Sequence, residues 1–522
     1  MTVTPFKPIR GLFALGLPLA LGACMLGPDY VRPDVAKDAV EQPQLPRAAD
    51  AGVTAAAPPS QWWRELQDPV LDGLVDQALR NSPNLRVAQA RLLASRALVK
   101  QRRAEQLPSV GAVAAYTNIQ MPDSLNDSVR GIGEGVAQAA EANGRPQEAA
   151  QIRQQLGDVN LDTELYIAGV DASWELDLFG RRRRAAEQAN AEADASLAEL
   201  ADAQVQLAAE VAQVYLGYRS TRERQLLAED NIAAAEHSLA LTRQRRAGGA
   251  DSDLQVERAL GQLEQQRAQL PDLQAQALEA RDQLALMTGR APGALDSLLA
   301  TDRPLPSLPA VVPVDDAAAV IRRRPDIRQA ERQLAASSAQ IGQALSAYFP
   351  QVNLLGAVGM GASSPSDLNS DAVSTVVAPF LRWSVFDFGK TRAQVAQARA
   401  GNEARLAAYE GTVLAALQDA NTALAQFGSA RQQVMVTTRA EASAQRADAL
   451  MQQRRAAGAA SQIDLLDVQR QRLQAQDALA QARLQLLVRY AGLQKSLGLG
   501  WEQAPEPGST GTANRPVPVS PL

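Results

Sequence analysis

The chain carries one pattern twice, so its fold must be built from two similar halves. Asn81-Ser82-Pro83-Asn84-Leu85-Arg86 is answered by Arg323-Arg324-Pro325-Asp326-Ile327-Arg328, a shift of 242 residues (325 − 83). Pro108 is answered by Pro350 at the same shift. Trp174 and Phe179-Gly180 are answered by Trp383 and Phe388-Gly389 at a shift of 209 residues (383 − 174). The segment Gln244-Arg245-Arg246-Ala247-Gly248-Gly249-Ala250-Asp251-Ser252 returns, again at 209, as Gln453-Arg454-Arg455-Ala456-Ala457-Gly458-Ala459-Ala460-Ser461, with seven of nine positions identical. Gly289 and Gly498 are related in the same way. The shifts differ by 33 residues (242 − 209), a surplus between Thr117 and Leu165 of the first half. It is polar, with helical character from Val136 to Leu156, and is expected to form an elongated external loop.

Each half reads helix, strand, loop, strand, very long helix, turn, helix. Ser82 is placed to cap the first helix and Pro83 to occupy its first position, where the missing N–H costs nothing. Pro108 stops it. Tyr166, Ala168, Val170, Ala172, Trp174, Leu176 and Leu178 share one face of a strand; Ile167, Gly169, Asp171, Ser173, Glu175 and Asp177 share the other. In the second half Val373, Thr375, Val377, Leu381, Trp383 and Val385 share a face. One apolar and one mostly polar face at period two suits a membrane barrel strand, as it suits a soluble hairpin. Strands are expected at about 108–120, 165–178, 350–362 and 372–387, and long hairpins over about 181–289 and 390–498.

The helix from Lys390 to Ala456 would be about 100 Å long at 1.5 Å per residue. Its residues Leu406, Tyr409, Val413, Ala416, Ala420, Ala423 and Phe427 form a seam with alternating spacings of three and four, which calls for partner helices. No run in these helices is apolar enough to cross a bilayer, so they stand in an aqueous compartment. Four membrane strands per chain cannot close a barrel, and open edges are not tolerated in hydrocarbon. Two chains would give an eight-stranded barrel filled by side chains; three would give twelve strands and a lumen.

The N-terminus reads as an address. Lys7 and Arg10 precede an apolar run from Leu12 to Leu21, too short to span a membrane, as in a secretory signal peptide over residues 1–23. The run ends Leu21-Gly22-Ala23-Cys24, which resembles a bacterial lipobox, and Cys24 is the only cysteine. The resemblance implies acylation of Cys24, as with palmitate, and several acyl chains anchor stably where one is marginal. Met25 rather than Asp after the cysteine is compatible, on the same resemblance, with delivery to the outer membrane. Residues 24–60 are expected to be a lipidated start and extended linker, 61–305 the first repeat, 306–502 the second and 503–522 a disordered tail.

Composition excludes several function classes. With 52 basic and 57 acidic residues and no basic stripe interleaved with aromatics, nucleic acid is not an expected partner. One histidine, His237 on a polar helical stretch, and one cysteine cannot assemble the usual zinc or nucleophile–base sites. No metal, cofactor or catalytic set is expected.

The lipobox, Gly27-Pro28-Asp29-Tyr30, the duplicated helix–strand order and the Arg-x-x-Gly-x-x-Ser turns together resemble the TolC-like outer-membrane efflux factors, in their NodT or OprM-type lipoprotein branch. The resemblance covers nearly the whole chain. It implies a homotrimer, mainly α with a membrane β-barrel part: twelve strands in the outer membrane, continuous with a long periplasmic α-helical barrel. It implies docking to a periplasmic adaptor and an inner-membrane pump, and a passive role in exporting small molecules.

Gly249 and Gly458 stand where helix C-termini need a left-handed residue. Ser252 with Gln255, and Ser461 with Asp464, have capping-box spacing for the next helix. By resemblance these turns, with Arg245, Arg246, Arg454 and Arg455, are the adaptor-docking tips; they also read simply as good turns. Ile463, Asp467 and Arg470 share one helix face just beyond the second tip. By resemblance Ile463 supplies an apolar ring of a periplasmic gate, Asp464 and Asp467 acidic rings, and Arg470 a latch, with Arg258 of the first hairpin facing an acidic group. Asp464 reads equally as a cap, and Asp467 with Arg470 as a surface pair. A periplasmic coiled-coil adaptor or structural lipoprotein without a pore is the alternative, against which the two similar hairpins and alternating strands argue.

Overall fold

The computed structural model describes residues 25–37, 44–120, 122–157 and 163–501. Cys24, the signal segment and the tail over 503–522 lie outside the described residues. The chain is mainly helical. The first half contains α1 (Pro69–Asn81), α2 (Pro83–Ala104), β1 (Ser109–Ile119), α3 (Asp123–Ala142), α4 (Pro146–Gly157), β2 (Thr163–Leu176), α5 (Arg181–Ala247), α6 (Asp253–Arg267) and α7 (Gln269–Met287). The second contains α8 (Ala317–Arg323), α9 (Pro325–Ser346), β3 (Gln351–Ala362), β4 (Val373–Arg382), α10 (Lys390–Ala456) and α11 (Gln462–Ser496). The equivalent helices α5 and α10 both have 67 residues.

Two departures from symmetry have local causes. The surplus, expected as a loop, is the helical pair α3 and α4, joined by a turn at Gly144 (φ +75°). Arg153 of α4 fastens the pair by reaching Glu134 at 2.9 Å and Glu141 at 3.0 Å. The other departure is the break between α6 and α7, where α11 runs on unbroken. Pro271 explains it, since its ring collides with the carbonyl four residues back, at Arg267, and it has no N–H to donate. The residue 209 positions on is Ala480, which continues the helix.

The chain divides into two compact units, whose boundaries fall inside α2, α5, α9 and α10. One unit holds an antiparallel four-stranded sheet in the order β1-β2-β3-β4, leaving β1 and β4 as edges. Its register gives one face that is almost wholly apolar and one that is mixed, where Val113, Ile167, Leu355, Val376 and Phe380 stand among polar residues. Val110 lies opposite Ala172, Val170 opposite Val358, Trp174 opposite Leu354 and Gly356 opposite Val377, so one face is apolar across all four strands. Gly111, Asp171 and Ala357 lie in a row on the other face, with Ser173, Glu175, Asn353 and Arg382 along the same side. The expected strand over 372–387 stops at Arg382.

The repeat also recurs as a contact. The Trp174 indole N–H donates to Gln106 O at 2.9 Å, and that of Trp383 to Tyr348 O at 3.0 Å. The donors are 209 residues apart and the acceptors 242, as the shifts require. Each indole thereby occupies a carbonyl left free beyond a helix end.

Arg181 to Arg184 read as a solvated charge run or a headgroup site, but all four are paired within the unit. Arg181 holds Glu175 (2.7 Å), Arg182 holds Glu105 (3.0 Å) and Arg183 holds Asp177 (3.4 Å). Arg184, only 1% exposed, donates to the carbonyls of Leu26 (2.9 Å) and Gly27 (3.1 Å) and pairs with Asp29 (2.9 Å). Gly27 (φ +92°) lies so close to Gly342 that a Cβ would fall 2.5 Å from its Cα. The Gly-Pro-Asp stretch is thus a docking strip for the segment that follows Cys24.

The other unit is organised around an apolar core containing Trp62, Trp63, Tyr215, Phe427 and Tyr490. Trp62 meets Tyr490 edge-on with centroids 5.7 Å apart. Tyr409, Val413, Ala416, Ala420 and Phe427 of the predicted seam are all buried there, with Leu406 and Ala423 against them. The Tyr215 hydroxyl donates to buried Asp68 at 2.7 Å, and Asp68 caps α1 by accepting from Val70 N at 2.9 Å. Burial first, then this bond to Asp68, pushes the Tyr215 phenol well above its usual range. Part of the expected linker is packed too: Leu45, Ala48 and Ala51 are buried, and Thr54–Ala55 pairs with Pro313–Val314.

Gly289 and Gly498 end the return helices of the two halves, both at φ +71°. A Cβ on Gly289 would sit 2.6 Å from Asn81 O, and one on Gly498 2.8 Å from Arg324 Cγ. Gly289→Ala is therefore expected to cost about 1–3 kcal/mol in backbone strain, with the steric clash adding to it. Gly249→Ala, at a similar φ but in open space, is expected to cost less; thermal melts followed by circular dichroism distinguish the two.

Candidate functional site

Both hairpin tips are closed by one device. At the end of α5, Gly249 adopts φ +74°; its N–H donates to Arg246 O and that of Ala250 to Arg245 O, each at 2.9 Å. At the end of α10, Gly458 adopts φ +74°; its N–H donates to Arg455 O at 3.1 Å and that of Ala459 to Arg454 O at 2.8 Å. This paired pattern satisfies carbonyls that a helix end leaves free, and it needs the left-handed residue that glycine supplies. The next helices start alike. Ser252 N–H donates to Gln255 Oε1 at 2.7 Å, and Ser461 N–H to Asp464 Oδ2 at 3.2 Å.

The tips are tied to each other by a residue that the sequence pattern did not single out. Asp251, with its carboxylate 2% exposed, lies 3.4 Å from Arg245 Nε and 3.1 Å from Arg455 Nη2. Arg455 also donates to Gln462 Oε1 (3.2 Å) and Ala460 O (3.3 Å). Arg246 instead pairs with Asp253 at 2.6 Å. Asp251 occupies one of the two mismatched positions of the nine-residue repeat, opposite Ala460, and that mismatch was its only signal.

Four of the five expected gate residues come together. Arg258, Ile463, Asp467 and Arg470 line a groove of about 440 Å³ between α6 and α11, with Gly261, Gln262, Gln265 and Leu466. Arg470 Nη2 lies 3.5 Å from Asp467 Oδ1, both more than half exposed, a pair worth about 0–1 kcal/mol in water. Asp464 does not line this groove. Its carboxylate accepts from Ser461 Oγ (2.7 Å), while its N–H donates to that oxygen (3.1 Å), so it serves as the cap. These bonds from the Ser461 side chain and backbone hold its carboxyl below the usual range. A depressed carboxyl contributes its stabilisation above its ordinary value and loses it as pH falls through the lowered one. No helix among the described residues is long and apolar enough to cross a membrane.

The sequence matches the family described as outer membrane efflux protein over residues 74–290 and 318–499, one segment in each half. The chain belongs to this family. It is 30% identical over 516 residues to the solvent efflux pump outer membrane protein SrpC of Pseudomonas putida, covering 94% of this chain and 97% of SrpC. It is 31% identical over 499 residues to the pyoverdine export outer membrane protein OpmQ of Pseudomonas aeruginosa, covering 95% and 98%. The solved structure of the outer-membrane channel OprN superposes with a TM-score of 0.79 at 34% identity, over 92% of this chain and all of that one. As an outer membrane efflux protein the chain is the outer-membrane channel component of an efflux system, and its fold is of the TolC-like kind.

Asp251→Ala strips a buried charge from Arg245 and Arg455, the kind of change that costs about 3–5 kcal/mol locally. Amide hydrogen exchange is expected to rise at least tenfold around 245–255 and 454–464 and to stay unchanged in β2 and β3. As pH falls from 7 to 5 exchange at Asp464 is expected to follow only the intrinsic pH trend, and the cap's protection to be lost only as pH falls through the lowered value.

Proposed function

We propose that three copies of this chain form a lipid-anchored exit duct of the outer membrane, gated at its periplasmic end. The single observation that carries this reading is the four-stranded sheet, apolar on one face and open at both edges, in a member of an efflux family. Unpaired backbone groups in hydrocarbon cost several kcal/mol each, so the edges must pair with further copies. Twelve strands leave a lumen where eight would fill it. The polar face turns inward to water, and the long helices wall the duct in the periplasm.

In this reading Cys24 carries the acyl chains, and the strip from Leu26 to Asp29 holds the anchored end to the protein. The tips around Gly249 and Gly458 dock a periplasmic adaptor. An inner-membrane pump supplies the energy, and this chain performs no chemistry. The groove of Arg258, Ile463, Asp467 and Arg470 faces the axis. Each carboxylate then appears three times around a constriction, which draws cations as charged rings do in channels. Asp251 keeps the two tips of each chain together while the gate is shut. The cargo is small molecules, selected by the pump rather than by a wide duct.

Single-channel conductance in planar bilayers tests the proposal. The wild-type protein is expected to show a small resting conductance, which rises several-fold with Asp464→Ala plus Asp467→Ala, with Arg258→Ala and with Asp251→Ala. An unchanged leak in Arg258→Ala removes that residue from the latch. Absence of any conductance from folded trimer overturns the duct in favour of a pore-free coiled-coil lipoprotein.

A further inference from the structure

The second half keeps cations of the first without the acids that neutralise them. In the first half Arg181 reaches Glu175 at 2.7 Å, Arg182 reaches Glu105 at 3.0 Å and Arg183 reaches Asp177 at 3.4 Å, so the basic run after β2 is paired within its own unit. A shift of 209 carries Arg181 to Lys390 and Arg183 to Arg392. The same shift turns Glu175 into Ser384 and Asp177 into Phe386, and a shift of 242 turns Glu105 into Ala347. Lys390 and Arg392 are exposed, and neither side chain has a hydrogen bond or ion pair among the described residues. The acid nearest in sequence, Asp387, is engaged elsewhere: its carboxylate accepts from Gly389 N at 3.0 Å and from Thr391 N at 2.8 Å at the start of α10.

These two cations stand at a particular level. β4 ends at Arg382 and α10 begins at Lys390, and no helix among the described residues is long and apolar enough to lie in hydrocarbon. With the strands in the membrane, residues 383–392 span the boundary between hydrocarbon and periplasm. Their surroundings are apolar and open: Trp383 is 50% exposed, Val385 75%, Phe386 77% and Phe388 92%. Phe386 and Phe388 meet edge to face with centroids 4.6 Å apart, and Tyr348 O holds the Trp383 indole N–H at 3.0 Å. Aromatic rings at such a boundary sit among the headgroups. Lys and Arg there lay their stems along apolar surface and place their charge among phosphates.

We propose that Lys390 and Arg392, with the rings of Trp383, Phe386 and Phe388, bind the phosphate headgroup of an anionic phospholipid in the periplasmic leaflet; the proposal rests on the membrane-embedded sheet above but not on the number of copies. The headgroup takes the place that Glu175 and Asp177 hold in the first half. Arg392 offers phosphate a planar fork of donors and Lys390 a compact charge. The rings lie against the glycerol and the first tail carbons. Phe386, standing where the first half has Asp177, identifies the ligand class. It removes a counter-charge and adds apolar surface, and the two changes together suit a lipid rather than a soluble anion.

The test is fluorescence quenching of the full-length protein in phosphatidylcholine vesicles that contain a minor share of phosphatidylglycerol. Bromine is placed on the tails of one lipid at a time, at equal mole fraction. The Trp383 signal is the difference between the wild type and Trp383→Phe, and circular dichroism checks that each variant is folded. Brominated phosphatidylglycerol is expected to quench Trp383 about twofold or more beyond brominated phosphatidylcholine. The ratio is expected to fall to about one in Lys390→Gln/Arg392→Gln, and equally in Ser384→Glu/Phe386→Asp, which restores the acids of the first half and removes no cation. Equal quenching by the two lipids in the wild type overturns the headgroup site and leaves the sheet in the membrane. Absence of quenching by either lipid overturns the membrane sheet itself. A preference that survives both double variants, or one that inorganic phosphate abolishes at constant ionic strength, overturns the assignment to a lipid.

Discussion

A strand edge in hydrocarbon has nowhere to place its backbone donors and acceptors, and this chain presents two such edges. Most other features follow from that constraint. The sheet must be completed by further copies, so the apolar face must run in register across every strand, including strands of different chains. Within the chain the duplicated sequence meets this requirement economically, because the register of Ser109 with Ser173 returns between Gln351 and Arg382. The Trp174 and Trp383 indoles, each holding the carbonyl of the turn before a strand, set the height at which each hairpin leaves its helix.

What could be read from sequence was what is periodic or repeated. The faces of β2 and β4, the seam from Leu406 to Phe427 and the capped tips at Ser252 and Ser461 all depend on neighbours a few residues apart. Alternation and capping geometry act at that range. The joint placement of Arg258 with Asp467 was also accessible, because both follow equivalent turns. The capping reading of Asp464 accounts for its hydrogen bonds; its part in an acidic ring remains a proposal tied to the trimer.

What could not be read was long-range pairing. Asp251 has no periodic partner, and its arginine lies 204 residues on, so only the fold brings them together. Arg181 to Arg184 illustrate the same limit. A run of four like charges ordinarily faces water. Here Glu175 and Asp177 meet it from the stretch just before it, while Glu105 and Asp29 arrive from distant segments. The residues after Pro33 have the composition of a linker, yet Thr54–Ala55 finds a strand partner at Pro313–Val314. Composition records a preference for extension but not what the extended segment lies against.

The interruption at Pro271 gives the two hairpins different mechanics. With near-identical tips, they would otherwise respond alike to a push from below. A helix that has lost an internal hydrogen bond bends at that point for little energy, whereas 35 unbroken residues in α11 transmit force as a stiff rod. The return helix of the first hairpin therefore has a built-in joint beside the unbroken α5, while in the second hairpin both helices are continuous. Around a threefold axis jointed and continuous return helices then alternate.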